Sequence, residues 1–527
     1  MTFPSSGCST CKQRRIKVRI CSKFQPHRLA NLALQCDEAQ PVCQKCAKAQ
    51  RTCSGMRPPG SVVHIENSYA SGKRKRPRGP RSTRKTELMS NPNFIFPSPI
   101  IDLRTQAITY YLNYHLQTFP DALNYSKSVS DEFLAVWKSR PECPILDLAI
   151  SSMALAVFSN TQHHPPAALE ASAKYQQLLR RTQKTILSLD EATVDTCLLS
   201  IFFMARYEQA AHESDFFDIV KIPSFAHHDG TLAILKIWKY HLSHKHPASN
   251  IIKHSRRGMI RSALLRKNSV PEWLHDGSAF GEQGLELEYD CISIRIANLR
   301  NQVSMLLKEA GSSQPASHEV IAAAEELSGD ARAIDTALQD WMSHFPTEWA
   351  QREHTLPSSY DLPSRDFYYP IVFSYSRPAY AAPWNHYYAM RLLINSTRLR
   401  VINVSHSSFD DFACDLRSEC LSHIQSMANG LASSLPFCLQ KFRVTDPTGS
   451  SSDRDSIVLN ANDDVKPFLK TNLTVWPLSI ASGLGDMDFD QDLRFWFRDE
   501  LSHLGRVIGD RVLERSDAIQ WFEFDRD

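Results

Sequence analysis

The sequence is poor in the signatures of catalysis. It has no glycine-rich phosphate loop, no G-x-S-x-G elbow and no H-E-x-x-H pair, and only 18 of its 527 residues are glycine. A metal or acid–base role can be drawn for His227, His228 and Asp229, but adjacent histidines on a helix point to different faces. Cys414 and Cys420 lie six residues apart, about 240° round a helix, too far to share a metal beside His423. A surface or core role is expected for the histidines, a core role for Cys414 and Cys420, and packing for Tyr110, Tyr111 and Tyr114, and no enzymatic activity is expected.

Long apolar runs are also missing. The opening MTFPSSGCST has no apolar core of the kind a secretory leader needs. The most apolar stretch, LDLAISSMALAVF (146–158), carries Asp147 and two serines and is short for a membrane span. A buried helix is expected there, in a soluble, intracellular protein with no membrane partner.

What the chain has is unevenly placed. Residues 1–90 carry a net charge of +15 and the remainder −12, so the basic head is expected to meet a polyanion. Seven of 13 cysteines precede residue 54. Such clustering, without a leader, favours metal over disulfides.

The cysteines form two copies of one unit once Val18–Gln35 is set aside. The first is Cys8-ST-Cys11-KQRRIK-Cys36 and the second Cys43-QK-Cys46-AKAQRT-Cys53, both C-x2-C-x6-C. Zinc prefers four tetrahedral ligands and binds thiolates well, so six cysteines serve two zinc ions when two of them bridge. The six-residue spacer makes a short helix. In the first unit it carries Lys12, Arg14, Arg15 and Lys17, which suit phosphates and base edges of double-stranded DNA. Metal binding supplies the stability that so small a core lacks.

Residues Gly7 to Cys53, through GCSTCKQRRIK and CDEAQPVCQKCAKAQRTC, resemble the fungal Zn2Cys6 binuclear zinc cluster family of transcription factors. The resemblance implies Cys8 and Cys43 as bridging ligands, with Cys11 and Cys36 completing one zinc site and Cys46 and Cys53 the other. It further implies that Lys17 contacts a CGG-type half-site in the major groove, that Pro41 belongs to the loop joining the halves, and that the protein acts in the nucleus. Partners implied are DNA, a second copy of the chain and the transcription machinery.

The 18-residue interruption departs from that family. Cys21 could be the third ligand at an aberrant spacing, leaving Cys36 spare. Alternatively, Val18–Gln35 is a translated intron: valine codons begin GT, a glutamine codon can be CAG, Val-Arg can read GTAAGA, and Ala30-Asn31 can read GCTAAC. Eighteen codons are 54 nucleotides, which keeps the frame. As written, the loop between Cys11 and Cys36 grows from six residues to 24. Ideal closure makes that cost only about 1.2 kcal/mol, which zinc affinity absorbs. DNA reading is more exposed, because Lys17 loses the adjacent ligand that fixes its helix end.

The expected organisation has three parts. Residues 7–55 form the metal-bearing DNA-binding module, with 18–35 as its insert. Residues 56–99 form a flexible linker rich in Pro, Gly and Ser. Its basic run Lys73, Arg74, Lys75 and Arg76 reads as a nuclear-import signal that adds phosphate contacts. No sustained heptad appears in it, so a coiled-coil dimer is not expected from this region.

Residues 100–527 show apolar spacing of three to four over helix-length spans, and alternating strand patterns are scarce. The expected fold class is all-α. This region is similar to the regulatory domain that accompanies fungal zinc clusters, through Tyr207-Glu208, HHDGTLAILKIW (227–238), Trp384 with RLLIN, and Trp476-Pro477-Leu478. The resemblance implies regulation of transcription without catalysis. GLGDMDFDQD (483–492) mixes acidic and apolar residues, as activation segments and ordinary exposed loops both do.

Overall fold

A computed structural model describes residues 44–48, 101–115, 133, 135–138, 143–212, 224–312, 317–356, 365–405, 411–445, 456–460, 467–485 and 489–518. The chain divides into two units, Met1–Phe96 and Pro97–Asp527. In the first, the described element is the helix α1 (Gln44–Lys48).

The second unit is mostly helical. Its helices are α2 (Leu103–Tyr114), α3 (Pro144–Gln162), α4 (Pro165–Ile186), α5 (Val194–Ala211), α6 (Ser224–Ile237), α7 (Asn250–Arg266), α8 (Gly284–Ser312) and α9 (His318–Ser343). They continue with α10 (Ala381–Ser405), α11 (Asp411–Cys438), α12 (Pro467–Ser482) and α13 (Gln491–Ile508). Side chains set several starts. Asp102 Oδ1 accepts from Thr105 N (2.9 Å), Ser249 Oγ from Ile252 N (3.2 Å) and Ser317 Oγ from Val320 N (3.3 Å). Pro144 and Pro165 open α3 and α4, where a missing N–H costs nothing. Gly509, with φ +71°, ends α13.

Helix α3 is apolar on nearly every side and packs against α2, α4 and α5. By length and composition it could cross a membrane, yet it lies mostly buried inside the fold. The expected buried helix over 146–158 is therefore present. Helix α10 is enclosed still more completely, by α9, α11 and α12. One apolar core runs from Ala107 on α2 to Val512 beyond α13.

Two features depart from the purely helical expectation. Strand β1 (Arg352–Thr355) pairs antiparallel with β2 (Ile371–Ser374), Arg352 opposite Ser374. Strand β3 (Phe442–Thr445) pairs with β4 (Ser456–Leu459), Phe442 opposite Leu459. Four-residue strands are too short to show alternation, and REHT has no apolar residue at all. Their register arises from the packing of Leu356, Phe367, Val372 and Phe442 against one another.

Candidate functional site

Of the residues expected to bind metal, Cys46 is described. It is buried on α1 while its neighbours Ala47 and Lys48 are exposed. Cys8, Cys11, Cys36, Cys43 and Cys53 lie outside the described residues, as do Lys12, Arg14, Arg15, Lys17 and the basic run Lys73–Arg76. Among the described residues, no group of three or more His, Cys, Asp or Glu is placed to hold a metal ion.

In the helical unit, α6 carries His227 and His228 to different neighbours. Tyr175 donates its hydroxyl proton to Glu208 Oε1 (2.5 Å), so its oxygen accepts from His227 Nε2 (2.8 Å). The Tyr175 ring stacks on Tyr207, centroids 4.0 Å apart. Burial pushes the Glu208 carboxyl up, but hydrogen bonds from His227 and Tyr175 outweigh it and hold Glu208 below its ordinary value. On the next residue, His228 Nδ1 meets Ser262 Oγ (2.9 Å). Burial, with Arg266 adding, lowers His228 to about 4. Asp229 is held by Arg266, Nη1 to Oδ1 2.6 Å. The three adjacent polar residues thus join α6 to α4, α5 and α7 and do not converge on one point.

The thiols behave similarly. Cys420 is buried and Cys414 exposed, so the expected core role fails for Cys414, which lies on the outer face of α11. Burial pushes Cys197 up to about 12, and Cys420 and Cys438 to about 11. Thiols held protonated at neutral pH are poor nucleophiles and poor ligands. Of the three tyrosines expected to pack, Tyr111 is buried and Tyr114 exposed, while Tyr110 stands edge-on to Phe158.

The densest polar assembly was not legible beforehand. Arg256 and Arg257 sit side by side on α7, both buried. Arg256 donates to Glu282 and, at 3.0 Å, to Asp290; Arg257 donates to Glu286 (2.5 Å) and Asp290 (3.2 Å). Arg256 also donates Nε to the Leu274 carbonyl (2.9 Å). Two guanidiniums thus face three carboxylates. Burial, with the charge of Asp290, pushes Glu282 well above the usual carboxylate range, which favours a proton there. Beside the cluster lies a crevice, partly open to solvent, between Arg257, Arg261, Tyr289, Asp290, Ser293 and Trp476, with room for about one water molecule. Arg261 covers the Trp476 ring at 5.3 Å. A crevice of that size does not hold an organic ligand.

The segments singled out by resemblance are structural anchors here. Arg391 and Asn395 of RLLIN both bond Asp335, and Trp384 Nε1 donates to the Trp349 carbonyl (2.8 Å). Part of GLGDMDFDQD lies outside the described residues, while Asp490 within it caps α13.

No protein-family model, no curated protein and no solved structure matches the chain.

Proposed function

We propose that the protein is a sequence-specific DNA-binding regulator of transcription, its N-terminal cysteines holding two zinc ions and its helical unit carrying a regulatory role. The observation that carries this reading is the repeated C-x2-C-x6-C unit, with Lys12, Arg14, Arg15 and Lys17 between Cys11 and Cys36. Burial of Cys46 supports it, as does the change from +15 over residues 1–90 to −12 over the rest. Zinc would be held by Cys8, Cys11, Cys36, Cys43, Cys46 and Cys53, fixing the spacer so that its basic side chains present together to a groove. Lys73, Arg74, Lys75 and Arg76 add nuclear import and phosphate contacts.

Val18–Gln35 favours a second reading, in which the disrupted cluster no longer reads DNA and the chain acts through protein contacts of its helical unit. Two measurements separate them: sequencing of the message across codons 18–35, and fluorescence anisotropy of CGG-containing duplexes with the chain made with and without those residues. Zinc-dependent, sequence-selective binding that strengthens on their removal supports the first reading. A message that always retains them, with no selective binding by either form, replaces it with the second.

A further inference from the structure

The connection between α7 and α8 is held along its length by one side chain. It passes through two single turns, Glu272–Leu274 and Ser278–Phe280, and reaches Glu282 between Gly281 (φ +71°) and Gly284 (φ +59°). Arg256 of α7 donates to the Leu274 and His275 carbonyls (2.9 and 3.3 Å) and, further on, to Glu282. Its guanidinium also lies 5.3 Å from the centroid of the Phe280 ring. The last turn is tight. Gly277 O accepts from Phe280 N and Glu282 N (2.9 and 3.1 Å), and a Cβ on Gly277 would come 2.7 Å from Glu282 Oε2.

Glu282 shares its cations with a second acid. Arg256 Nη1 reaches both Glu282 Oε2 and Asp290 Oδ2, and Arg257 Nε stands 3.4 Å from Glu282 Oε1 and 3.2 Å from Asp290 Oδ2. Two buried carboxyl groups therefore adjoin on one pair of guanidiniums, and Glu282 Oε1 accepts no hydrogen bond. Adjoining buried acids oppose each other's ionisation. The other charged groups nearby are engaged elsewhere. Lys253 of α7 donates to the Gly281 carbonyl (2.9 Å), Glu286 of α8 takes Arg257 Nη2 (2.5 Å), and Arg261 covers Trp476 of α12 (5.3 Å). Within the connection Asp276 accepts from Ser278 N (3.1 Å) and His275 Nε2 meets the Val270 carbonyl (2.9 Å). Lys239, from the π-helical turn Trp238–Leu242 after α6, lies over Phe280 (5.4 Å), and the exposed Glu288 of α8 meets His344 beyond α9 (3.3 Å).

We propose that Glu282 and Asp290 share one proton in the folded chain and that this proton latches the connection, its loss in alkaline solution opening the turn at Ser278–Glu282 while α7 and α8 stay folded. Once both acids are charged, their repulsion acts at Glu282, the end of the connection that Arg256 holds by a side chain. Gly281 and Gly284 are already in the left-handed region and let Glu282 swing outward without new backbone strain. Burial, with the charge of Asp290, raises the folded-state value of Glu282. Stability from the proton is thus fully present below the ordinary value of 4.5 and is lost as pH rises through the raised one. The latch is independent of the reading of the N-terminal region, and its test does not involve DNA.

The experiment is hydrogen exchange of the full chain, followed by mass spectrometry from about pH 6 to about pH 9.5 and corrected for the intrinsic rise of exchange with pH. Peptides covering Ser278–Glu282 should lose protection by about tenfold per pH unit above the titration point. Glu282→Gln, which cannot ionise, should show no such loss. Asp290→Asn removes the opposing charge and should move the loss out of this range. Asp276→Asn alters the same turn away from the pair and should leave the pH profile unchanged. Infrared difference spectra of wild type against Glu282→Gln at neutral pH should show a carboxylic-acid carbonyl band. A wild-type exchange profile parallel to that of Glu282→Gln, a carboxylate band in place of the acid, or simultaneous loss of protection throughout α7 and α8 overturns the proposal.

Discussion

Arg391 on α10 and Asp335 on α9 form a two-pronged ion pair, Nε to Oδ1 and Nη2 to Oδ2 both 2.7 Å, with both side chains buried. Asn395 Nδ2 adds a third donor to Asp335 Oδ1 (2.7 Å). Together these bonds tie the two long helices α9 and α10 to one another. Asp335→Ala would leave a guanidinium buried without its carboxylate, and a loss of about 3–5 kcal/mol is expected. Denaturant unfolding measures it; a loss under 1 kcal/mol on that scale would show the pair to be solvated.

Close backbone approach gives a second prediction. A Cβ on Gly505 of α13 would collide with the backbone of Leu513 and Glu514. That turn cannot retreat easily, because Asp510 Oδ1 accepts from Val512 N and Leu513 N (both 3.1 Å) and Ser502 Oγ donates to the Glu514 carbonyl (2.6 Å). At Gly430 of α11 a Cβ would come 2.7 Å from Tyr388 Cε1, a side chain. Gly430→Ala is expected to cost about 1–3 kcal/mol and Gly505→Ala more. Thermal melts of the two variants rank them, and the reverse order would contradict the geometry.

Glu500 sets a pH dependence. Burial pushes its carboxyl up to about 7, against the pull of Lys441 and Arg365, with Asp366 and Asp499 adding to the rise. A raised folded-state value means that the native state prefers the proton. The contribution is fully present below the ordinary value of 4.5 and is lost as pH rises through about 7. Glu500→Gln, always neutral, should match wild type near pH 4 and exceed it above pH 8 by about 3 kcal/mol. Parallel stability–pH curves for the two proteins would refute the assignment.

For the N-terminal region the expectation concerns DNA. Lys17→Ala, tested in the chain lacking Val18–Gln35, should cost about 1–3 kcal/mol at the preferred site and relax selectivity at one base. Neutralising Lys73, Arg74, Lys75 and Arg76 should instead weaken all duplexes alike. It should also flatten the salt dependence by about 3 to 4 in log–log slope. Anisotropy titrations across salt concentrations distinguish the two. A selectivity change from the basic run would reverse the roles given to these residues.

Much of the second unit was legible because helix formation is local. The apolar spacing in PPAALEASAKYQQLLRRTQKTILSL begins where α4 begins and runs three residues past its end at Ile186, and WNHYYAMRLLINSTRLRVIN falls inside α10. The repeated cysteine spacing is likewise a property of the sequence alone, and so is the asymmetry of charge. The short strands were not legible, because REHT and IVFS are 15 residues apart and neither carries a periodic signal. Nor were the buried charges. The arginines of α7 find carboxylates 26 to 34 residues away, Arg391 finds Asp335 56 residues back, and Arg300 meets Thr397 97 residues on. Sequence fixes periodicity, because each turn of helix is made by its own neighbours. Which charges are buried together depends on how the finished helices pack, and only the tertiary structure decides that.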